Sequence, residues 1–422
     1  MENQTAQGRA NIVLVSCMLF NLSIGVLYAW SVLQSRLTMP IAEGGFGWSV
    51  SQAGFPYSVA IIVFATAVII GGRIQDKIGP RRVVTAGAIL IGLGLILAGL
   101  VGNSVVGVVL AFGVLAAAGM GFGYGCVTAP ALKWFHPGKK GLVSGLIVGG
   151  FGLSAVGFAP LTVSLLGSFG IERTFIILGA GNLLISTTIA QFIKNPPTGY
   201  TPLEPEKIKQ HAKAAPSDSF EWSEMLRTKR FYLMFIMFLL ASSVGLMVIG
   251  SVTRIAQTQA GVSDGAILAG LVSFLALTNT LGRVAGGIMS DKIGRINSLF
   301  VILFLQTANM AAFALYRSLP ALVLGIVVVG FCFGTLLSVM PALCADQYGL
   351  KNFGLNYGIL FFAWGLSGIV TPMIAGALYD ATGSFNTTYI ICAVMMGAMI
   401  LVNYLLKREI DRLKENILEA QG

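Results

Sequence analysis

The sequence contains stretches of about 20 residues that are apolar on every face of a helix. Two of them are VVTAGAILIGLGLILAGLVG (83–102) and TTYIICAVMMGAMILVNYLL (387–406). A helix of this length crosses the roughly 30 Å hydrocarbon core of a bilayer. The runs lack the alternation of apolar and polar residues that is typical of membrane barrel strands. With 55% hydrophobic residues, 10% charged residues and a mean hydropathy of +0.82, the chain is predicted to be a polytopic helical membrane protein.

Polar connectors divide the chain into twelve predicted membrane-spanning helices. They cover residues 12–35, 51–73, 82–101, 104–134, 141–167, 172–193, 231–258, 266–290, 296–316, 320–347, 353–379 and 386–406. An even number of spans places both termini on one side of the membrane, called here the terminal side. Of the 27 Lys and Arg residues, 22 fall on that side and 3 on the opposite side. The positive-inside rule therefore predicts cytoplasmic termini, and the compact loops favour a bacterial inner membrane.

The basic net charge of +10 follows from this topology and needs no nucleic-acid partner. No cleavable signal peptide is predicted, because the first residues, MENQTAQGRANI, are polar and no short apolar core with a cleavage site follows.

The cysteines lie in or near apolar spans without paired or metal-like spacing: Cys17, Cys126, Cys332, Cys344 and Cys392. They are interpreted as small core residues, and no metal site and no cofactor is predicted.

The longest connector is charged and rich in proline, and it separates six spans from six. The predicted organisation is an N-terminal six-helix bundle (1–193), a cytoplasmic linker (194–230) and a C-terminal six-helix bundle with a short cytoplasmic tail (231–422). Within the linker, SFEWSEML (219–226) is typical of a short surface helix that anchors at the membrane interface.

Three sequence patterns recur in the two halves at nearly the same offset. GGRIQDKIG (71–79) returns as GGIMSDKIG (286–294), and GFGYG (121–125) returns as GFCFG (330–334). A third echo, Gly-Leu followed by spaced Gly and Gly-Leu-Ser, begins at Gly141 and again at Gly354. This repetition predicts two parallel six-helix repeats, the architecture of transporters that rock two bundles around a site at the membrane midplane.

The first of these patterns combines glycines, one aspartate and basic residues: Gly72, Asp76, Lys77, Gly79, Arg81 and Arg82, then Gly287, Asp291, Lys292, Gly294 and Arg295. It resembles the signature of the major facilitator superfamily, and the resemblance covers essentially the whole chain. It implies an all-α fold of twelve helices in two pseudo-symmetric bundles. The glycines allow close packing, while the aspartates and basic residues can form a latch on the terminal side that holds one state and breaks in the other. A charged turn that served only the positive-inside rule would not explain the repeated Asp and Gly.

A narrower resemblance lies in WFHPGKKGLVSGLIVGGFG (134–152). The stretch is similar to the fifth-helix signature shared by monocarboxylate transporters and oxalate/formate exchangers. The residues that carry it are Trp134, Phe135, Lys139, Lys140, Ser144, Gly145, Gly149 and Gly152. Small residues at these spacings form close-packed helix seams in lipid, so the match indicates the subfamily without itself defining a substrate contact.

Arg283 lies inside the predicted span 266–290, about 12 Å from its polar end. A charge at this depth costs about 2.5–3.5 kcal/mol, and such residues face either a buried partner or a cavity. No carboxylate is predicted well inside any span, since Asp346 and Asp380 lie near span ends. Arg283 is therefore predicted to bind an anionic substrate, with Asn279 one turn earlier on the same helix face to orient the guanidinium or donate to a bound oxygen.

Two departures from the related families bear on the substrate. The resemblance to monocarboxylate transporters implies an aspartate where this chain has Asn279, which leaves no family-like proton acceptor there. The resemblance to oxalate/formate exchangers implies a lysine in the eleventh helix where LFFAWGLSG (360–368) has Trp364. One guanidinium opposite an apolar wall suits a single carboxylate.

Further residues are candidates for the wall of this site: Tyr28, Leu33, Tyr124, Phe333 and Phe362. The two tyrosines can donate hydroxyls to a substrate or serve only as packing. Arg254, near the outer end of its span, either attracts anions to the site or extends its charge to the interface.

The resulting prediction is a secondary transporter of small monocarboxylates resembling lactate or pyruvate, proton-coupled, working by alternating access and acting as a monomer. The alternative is an organic anion antiporter of the oxalate/formate type. An enzyme or a sensor is disfavoured, because both histidines, His136 and His211, lie in connectors and no nucleophile–base pair is present. A multidrug exporter is disfavoured because cationic drugs require a buried acid in place of Arg283.

Overall fold

The structure, a computed structural model, describes residues 2–202 and 220–421, and these residues form helices and turns without a β-strand. The membrane helices are α1 (Gln7–Leu37), α2 (Val50–Ile78), α3 (Pro80–Leu100), α4 (Val105–Trp134), α5 (140–169), α6 (171–190), α7 (Lys229–Ala260), α8 (Gly265–Ile293), α9 (Arg295–Leu315), α10 (Leu319–Tyr348), α11 (Phe353–Thr382) and α12 (Asn386–Gln421).

Within these described ranges, ten continuous helices are long and apolar enough to cross a membrane. One of them, Pro137–Ala190, is 54 residues long and is interrupted at Gly170, where φ is +74°, so it supplies both α5 and α6. Phe353–Thr382, 30 residues long, has the length of a further span. The twelve predicted spans are thus all present as helices.

Two irregular segments interrupt otherwise regular helices. α1 passes through a 3₁₀ segment at Ile24–Ala29, and α4 contains a π-helical segment at Val109–Ala116. π-helical turns are frequent at functional sites, and this one lies in the same helix as Tyr124.

The repeated motif ends its helix in the same way in both halves. Gly79 and Gly294 adopt φ values of +87° and +88°, a backbone region that residues with a Cβ rarely enter. Each glycine stops one helix and starts the next, which explains why the pattern of 71–79 and 286–294 requires glycine at its end.

The two bundles meet through α2 against α11 and through α5 against α8. At Gly72 a Cβ would collide with the main chain of Gly354, and at Gly287 it would collide with the main chain of Gly141. The motif glycines therefore allow each bundle to approach the first turn of a helix in the other, as the pseudo-symmetric repeat predicts.

Residues outside the membrane show one difference from the predicted lengths. α12 continues without a break to Gln421, so the predicted short tail is a helical extension of the last span. The predicted surface helix is present at Trp222–Met225, where Glu221 and Glu224 form a capping box. Residues 203–219, including His211, lie outside the described part, and the boundaries 1–193, 194–230 and 231–422 stay a prediction.

Candidate substrate site

Arg283 is almost completely buried, with 1% of its surface exposed. Its Nε donates to Asn279 Oδ1 at 3.2 Å, which confirms that the two side chains share a face of α8. Its Nη1 donates to the main-chain carbonyl of Val148 in α5 at 2.5 Å. The guanidinium therefore bridges the two bundles.

Glycines of α5 make room for this arginine. A Cβ at Gly152 would lie 3.0 Å from Arg283 Nη1 and 3.1 Å from its Cζ, and a Cβ at Gly145 would collide with the carbonyl of Arg283. Gly149 lies between them and faces Val284, where a Cβ would be 3.5 Å from Cγ2. The glycine seam predicted in α5 thus packs against α8 at the buried charge.

No carboxylate in the described ranges forms an ion pair with Arg283. The ion pairs found there join Lys140 to Asp346 and Arg295 to both Asp291 and Asp346, all near the terminal side. A guanidinium has five N–H donors, and Arg283 uses two of them on described residues. The other three donors have no hydrogen-bond partner among the described residues, in a position where an uncompensated charge is costly.

An aromatic cluster lies at the same interface and joins residues of both bundles. Phe361 of α11 stacks on Trp364, with ring centroids 5.0 Å apart, and lies 4.9 Å from Tyr124 of α4. Tyr124 lies 5.2 Å from Phe151 of α5, next to Gly152, and 5.5 Å from Phe64 of α2. The structure therefore brings the predicted residues Tyr124 and Trp364 together.

Several members of this cluster were not predicted from sequence: Phe64, Phe151, Phe238, Tyr357 and Phe361. A signal was present in α11, where residues 353, 357, 361 and 364 are aromatic and recur at helical spacing. Tyr357 is buried, and its ring centroid lies 5.7 Å from that of Phe361, so it extends the same aromatic cluster along α11.

Other predicted wall residues lie apart from this group. Phe333 packs against Gly245 and lines a small cavity inside the C-terminal bundle. Leu33 is completely buried in the apolar core, and Phe362 is half-buried without a ring contact to any described aromatic side chain. The side chain of Tyr28 lies outside the described part of the structure, and all four assignments stay predictions.

Arg254 is exposed near the outer end of α7. Its guanidinium carbon lies 5.2 Å above the ring centroid of Tyr379 in α11, which is cation–π geometry.

The two motif aspartates cap helices of the opposite bundle. Asp76 of α2 accepts from the N–H groups of Gly354 and Leu355, at 3.2 and 3.0 Å. In the second copy, Asp291 accepts from the N–H groups of Gly141 and Leu142, both at 2.8 Å. These carboxylates accept from N–H groups at the first turns of α11 and α5, which have no partner within the helix. Their negative charges also interact favourably with the positive N-terminal ends of the two helix dipoles.

The basic residues of the two copies differ in their partners. Arg295 donates to Asp291 at 2.5 Å and to Asp346 at 3.0 Å, and Asp346 also accepts from Lys140 of the other bundle at 2.8 Å. In the first copy the position of Arg295 is occupied by Pro80, and the next residue, Arg81, bonds to Gln191 within its own bundle.

The remaining basic residues of the predicted latch, Lys77 and Lys292, are exposed and make no ion pair with a described residue. From the sequence, Lys140 was interpreted only as part of the fifth-helix signature and Asp346 only as a residue near the end of a span. Neither residue was predicted to join the contacts between the bundles on the terminal side.

Comparison with known proteins agrees with this architecture. The family model of the Major Facilitator Superfamily matches residues 12–317 and 307–422. An uncharacterized MFS-type transporter of Escherichia coli, YhjX, is 31% identical over 360 residues, 85% of each chain. The oxalate:formate antiporter of Oxalobacter formigenes is 27% identical over 384 residues, 90% of this chain and 86% of the antiporter. Monocarboxylate transporter 13 of Rattus norvegicus is 24% identical over 381 residues, 89% of this chain and 84% of the transporter.

A twelve-helix membrane fold with a buried polar group between two repeated bundles defines a membrane transporter. The chain belongs to the Major Facilitator Superfamily, and the matches span nearly its whole length. The predicted family and fold are confirmed.

Proposed function

We propose that this protein is a secondary transporter of small monocarboxylates such as lactate or pyruvate. The observation that carries the proposal is the buried guanidinium of Arg283, which bridges α8 to the Val148 carbonyl of α5 without a carboxylate partner among the described residues. A substrate carboxylate supplies the missing anion and accepts from the three donors that Arg283 has left.

The aromatic cluster favours a substrate with one carboxylate over a substrate with two. Trp364 stacks on Phe361 at the position where the resemblance to oxalate/formate exchangers implies a lysine. With Arg283 as the cation at this site, a second carboxylate would face aromatic rings and lose its hydration without a partner. A short apolar side chain on the substrate fits this wall.

Transport follows from the position of Arg283 between the bundles. The substrate carboxylate binds the donors that Arg283 has left while Nη1 also donates to the Val148 carbonyl, so the bound substrate lies at a contact between the bundles. Neutralising the buried charge also lowers the cost of moving it between environments, which favours alternating access by rocking of the two halves.

The termini are assigned to the cytoplasm on the distribution of Lys and Arg. The protein is assigned to a bacterial inner membrane on its compact loops, and a monomer is proposed as the functional unit. Proton coupling is part of the same proposal. Asn279 occupies the position of the family's acid, and the carboxylates of Asp76, Asp291 and Asp346 lie near the terminal side, so the proton travels on the substrate or through these aspartates.

An oxalate/formate-type antiporter is the second candidate, favoured by the 27% identity to such a protein. Proteoliposomes separate the two. Uptake of labelled lactate into empty vesicles, driven by an inward proton gradient and abolished by a protonophore, is the result expected of a symporter. Uptake only into vesicles preloaded with a carboxylate, insensitive to the protonophore, assigns the protein as an exchanger.

The control for this assay is a variant that keeps the Arg283 residue but closes the site. In Gly152→Leu the new side chain occupies the space of the Arg283 guanidinium, because even a Cβ there lies 3.0 Å from Nη1. Vesicles with this variant define the background. Lactate uptake equal to that background in both wild-type experiments would refute monocarboxylate transport.

A further inference from the structure

A groove of about 430 Å³ lies on the outer surface of the N-terminal bundle, at the terminal side. It is lined by Arg81, Arg82, Thr85, Ala86, Ile89 and Gln191. Residues 82, 85, 86 and 89 recur every three or four positions and so share one face of α3, while Gln191 follows the end of α6 and forms the other wall.

The arginine pair in this groove has unused binding capacity. Gln191 Oε1 accepts from Arg81 Nε at 2.9 Å and from Nη2 at 2.6 Å. The Gln191 amide nitrogen donates to Thr85 Oγ1 at 3.2 Å, which fixes the amide and with it the plane of the guanidinium. Arg81 Nη1 and the whole guanidinium of Arg82 make no hydrogen bond or ion pair with any residue in 2–202 or 220–421.

The contrast with the second repeat explains why these charges face outward. Arg295 directly follows the motif glycine Gly294 and is held by Asp346, which lies five residues after Pro341. Five residues after Pro130, at the matching place in the first repeat, the chain has Phe135. In the first repeat Pro80 follows the motif glycine, the arginines come one and two residues later, and Arg81 bonds to Gln191 on the bundle surface.

The depth of the groove matches the boundary between headgroups and acyl chains. α3 has 21 residues and is therefore about 31 Å long, close to the thickness of the hydrocarbon core. Its first turn, with both arginines, lies at headgroup level. Ile89, Leu93 and Leu97, each about 40% exposed, continue from the groove as an apolar stripe toward the bilayer centre.

We propose that this groove binds the phosphate of an anionic phospholipid from the terminal-side leaflet, with one acyl chain along the stripe of Ile89, Leu93 and Leu97. Guanidinium groups bind phosphate oxygens in bidentate geometry, and basic pockets between membrane helices suit anionic headgroups. A soluble phosphate contacts only the arginines, whereas a phospholipid contacts both the arginines and the apolar stripe.

The test is native mass spectrometry of the full chain titrated separately with dioleoyl-phosphatidylglycerol, dioleoyl-phosphatidylcholine and inorganic phosphate. Each basic side chain near an anionic surface contributes about fivefold to binding, so R81Q/R82Q is expected to weaken the phosphatidylglycerol complex roughly thirtyfold. Ala86→Trp keeps both charges, fills the groove and is expected to lose the same complex. The matched control Lys292→Gln removes an exposed terminal-side charge outside the groove and leaves the affinity unchanged.

Equal phosphatidylglycerol affinity in wild type and R81Q/R82Q overturns the proposal, as does equal affinity of wild type for phosphatidylcholine. Inorganic phosphate that binds as tightly as the lipid assigns the arginines to a soluble anion and also overturns it. Retained binding in Ala86→Trp shows that the charges act without the groove and contradicts the assigned site.

Discussion

Replacing Asp291 with asparagine tests how the two bundles are held together on the terminal side. The Asp291 carboxylate accepts from the N–H groups of Gly141 and Leu142, both at 2.8 Å, and from Arg295 at 2.5 Å. A hydrogen bond to a charged group contributes about 1.5–3 kcal/mol. Asparagine keeps the shape and one acceptor oxygen, so Asp291→Asn is expected to lose about 2 kcal/mol of contact between the bundles.

This loss corresponds to a roughly thirtyfold shift toward conformations that are open on the terminal side. Spin labels at Arg73→Cys in α2 and Lys351→Cys before α11 report the separation of the bundles, since both positions are exposed and the native cysteines are buried. Pulsed dipolar spectroscopy should show a longer-distance population that grows in Asp291→Asn.

Asp264→Asn is the matched control for this measurement. Asp264 caps α8 at its other end, where it accepts from Ala266 N at 2.7 Å within the same helix. Its substitution is expected to leave the label distances unchanged. A distance distribution in Asp291→Asn identical to that of wild type would refute the role of Asp291 in closing the terminal side.

Three further variants address the remaining contacts. Gly287→Val places a side chain against the main chain of α5, so it should hold the bundles apart and reduce uptake at least tenfold. The control Gly270→Ala, in the same helix, adds a Cβ that meets no atom and should transport normally. Equal uptake by both variants would contradict the close approach of the two helices. Asp346→Ala leaves the buried Lys140 without its partner and should lower the free energy of unfolding by about 2 kcal/mol. The double variant K140M/D346L, measured by thermal unfolding, should recover most of that loss. Additive effects of the two substitutions on stability would show that the pair is not coupled. Trp364→Lys adds a second cation beside the aromatic cluster and should make oxalate at least a tenfold better competitor of lactate uptake; unchanged competition would remove Trp364 from the site.

The fold could be predicted almost completely, because membrane helices are encoded by local composition. The run before Gly170 and the run after it were recognised as separate spans, and the glycine itself marks the break. The repeated GGxxxDKxG pattern indicated the two bundles, whereas the positive-φ turns at Gly79 and Gly294 became apparent only in the structure. The length of α12 was underestimated because helix beyond the membrane carries no apolar signal.

The candidate site was predictable only where a single residue violated a membrane rule. Arg283 and Asn279 followed from charge and helical spacing, and the structure places them as expected. The Val148 carbonyl carried no side-chain signal, and the helical spacing of aromatic residues in α11 did not indicate that Phe361 meets Tyr124 of the other bundle. Contacts between the bundles depend on which helix faces meet, which one sequence does not specify.

The pairing on the terminal side shows the same limit. Both motif copies have arginine after the motif glycine, Arg81 and Arg82 in the first and Arg295 in the second, yet only Arg295 joins the contacts between the bundles. The difference depends on Asp346, more than fifty residues further along the chain from Arg295 and in another helix. A motif therefore predicts which residues are present, while their partners depend on the tertiary packing.

The central claim is that Arg283 binds the carboxylate of the substrate. Equilibrium binding of labelled lactate to the purified protein tests it, with Arg283→Gln to remove the charge and Arg283→Lys to keep it without the planar fork. A charge-assisted bidentate pair predicts binding weakened at least thirtyfold in Arg283→Gln and by about tenfold in Arg283→Lys. A dissociation constant in Arg283→Gln within threefold of the wild-type value would contradict the account.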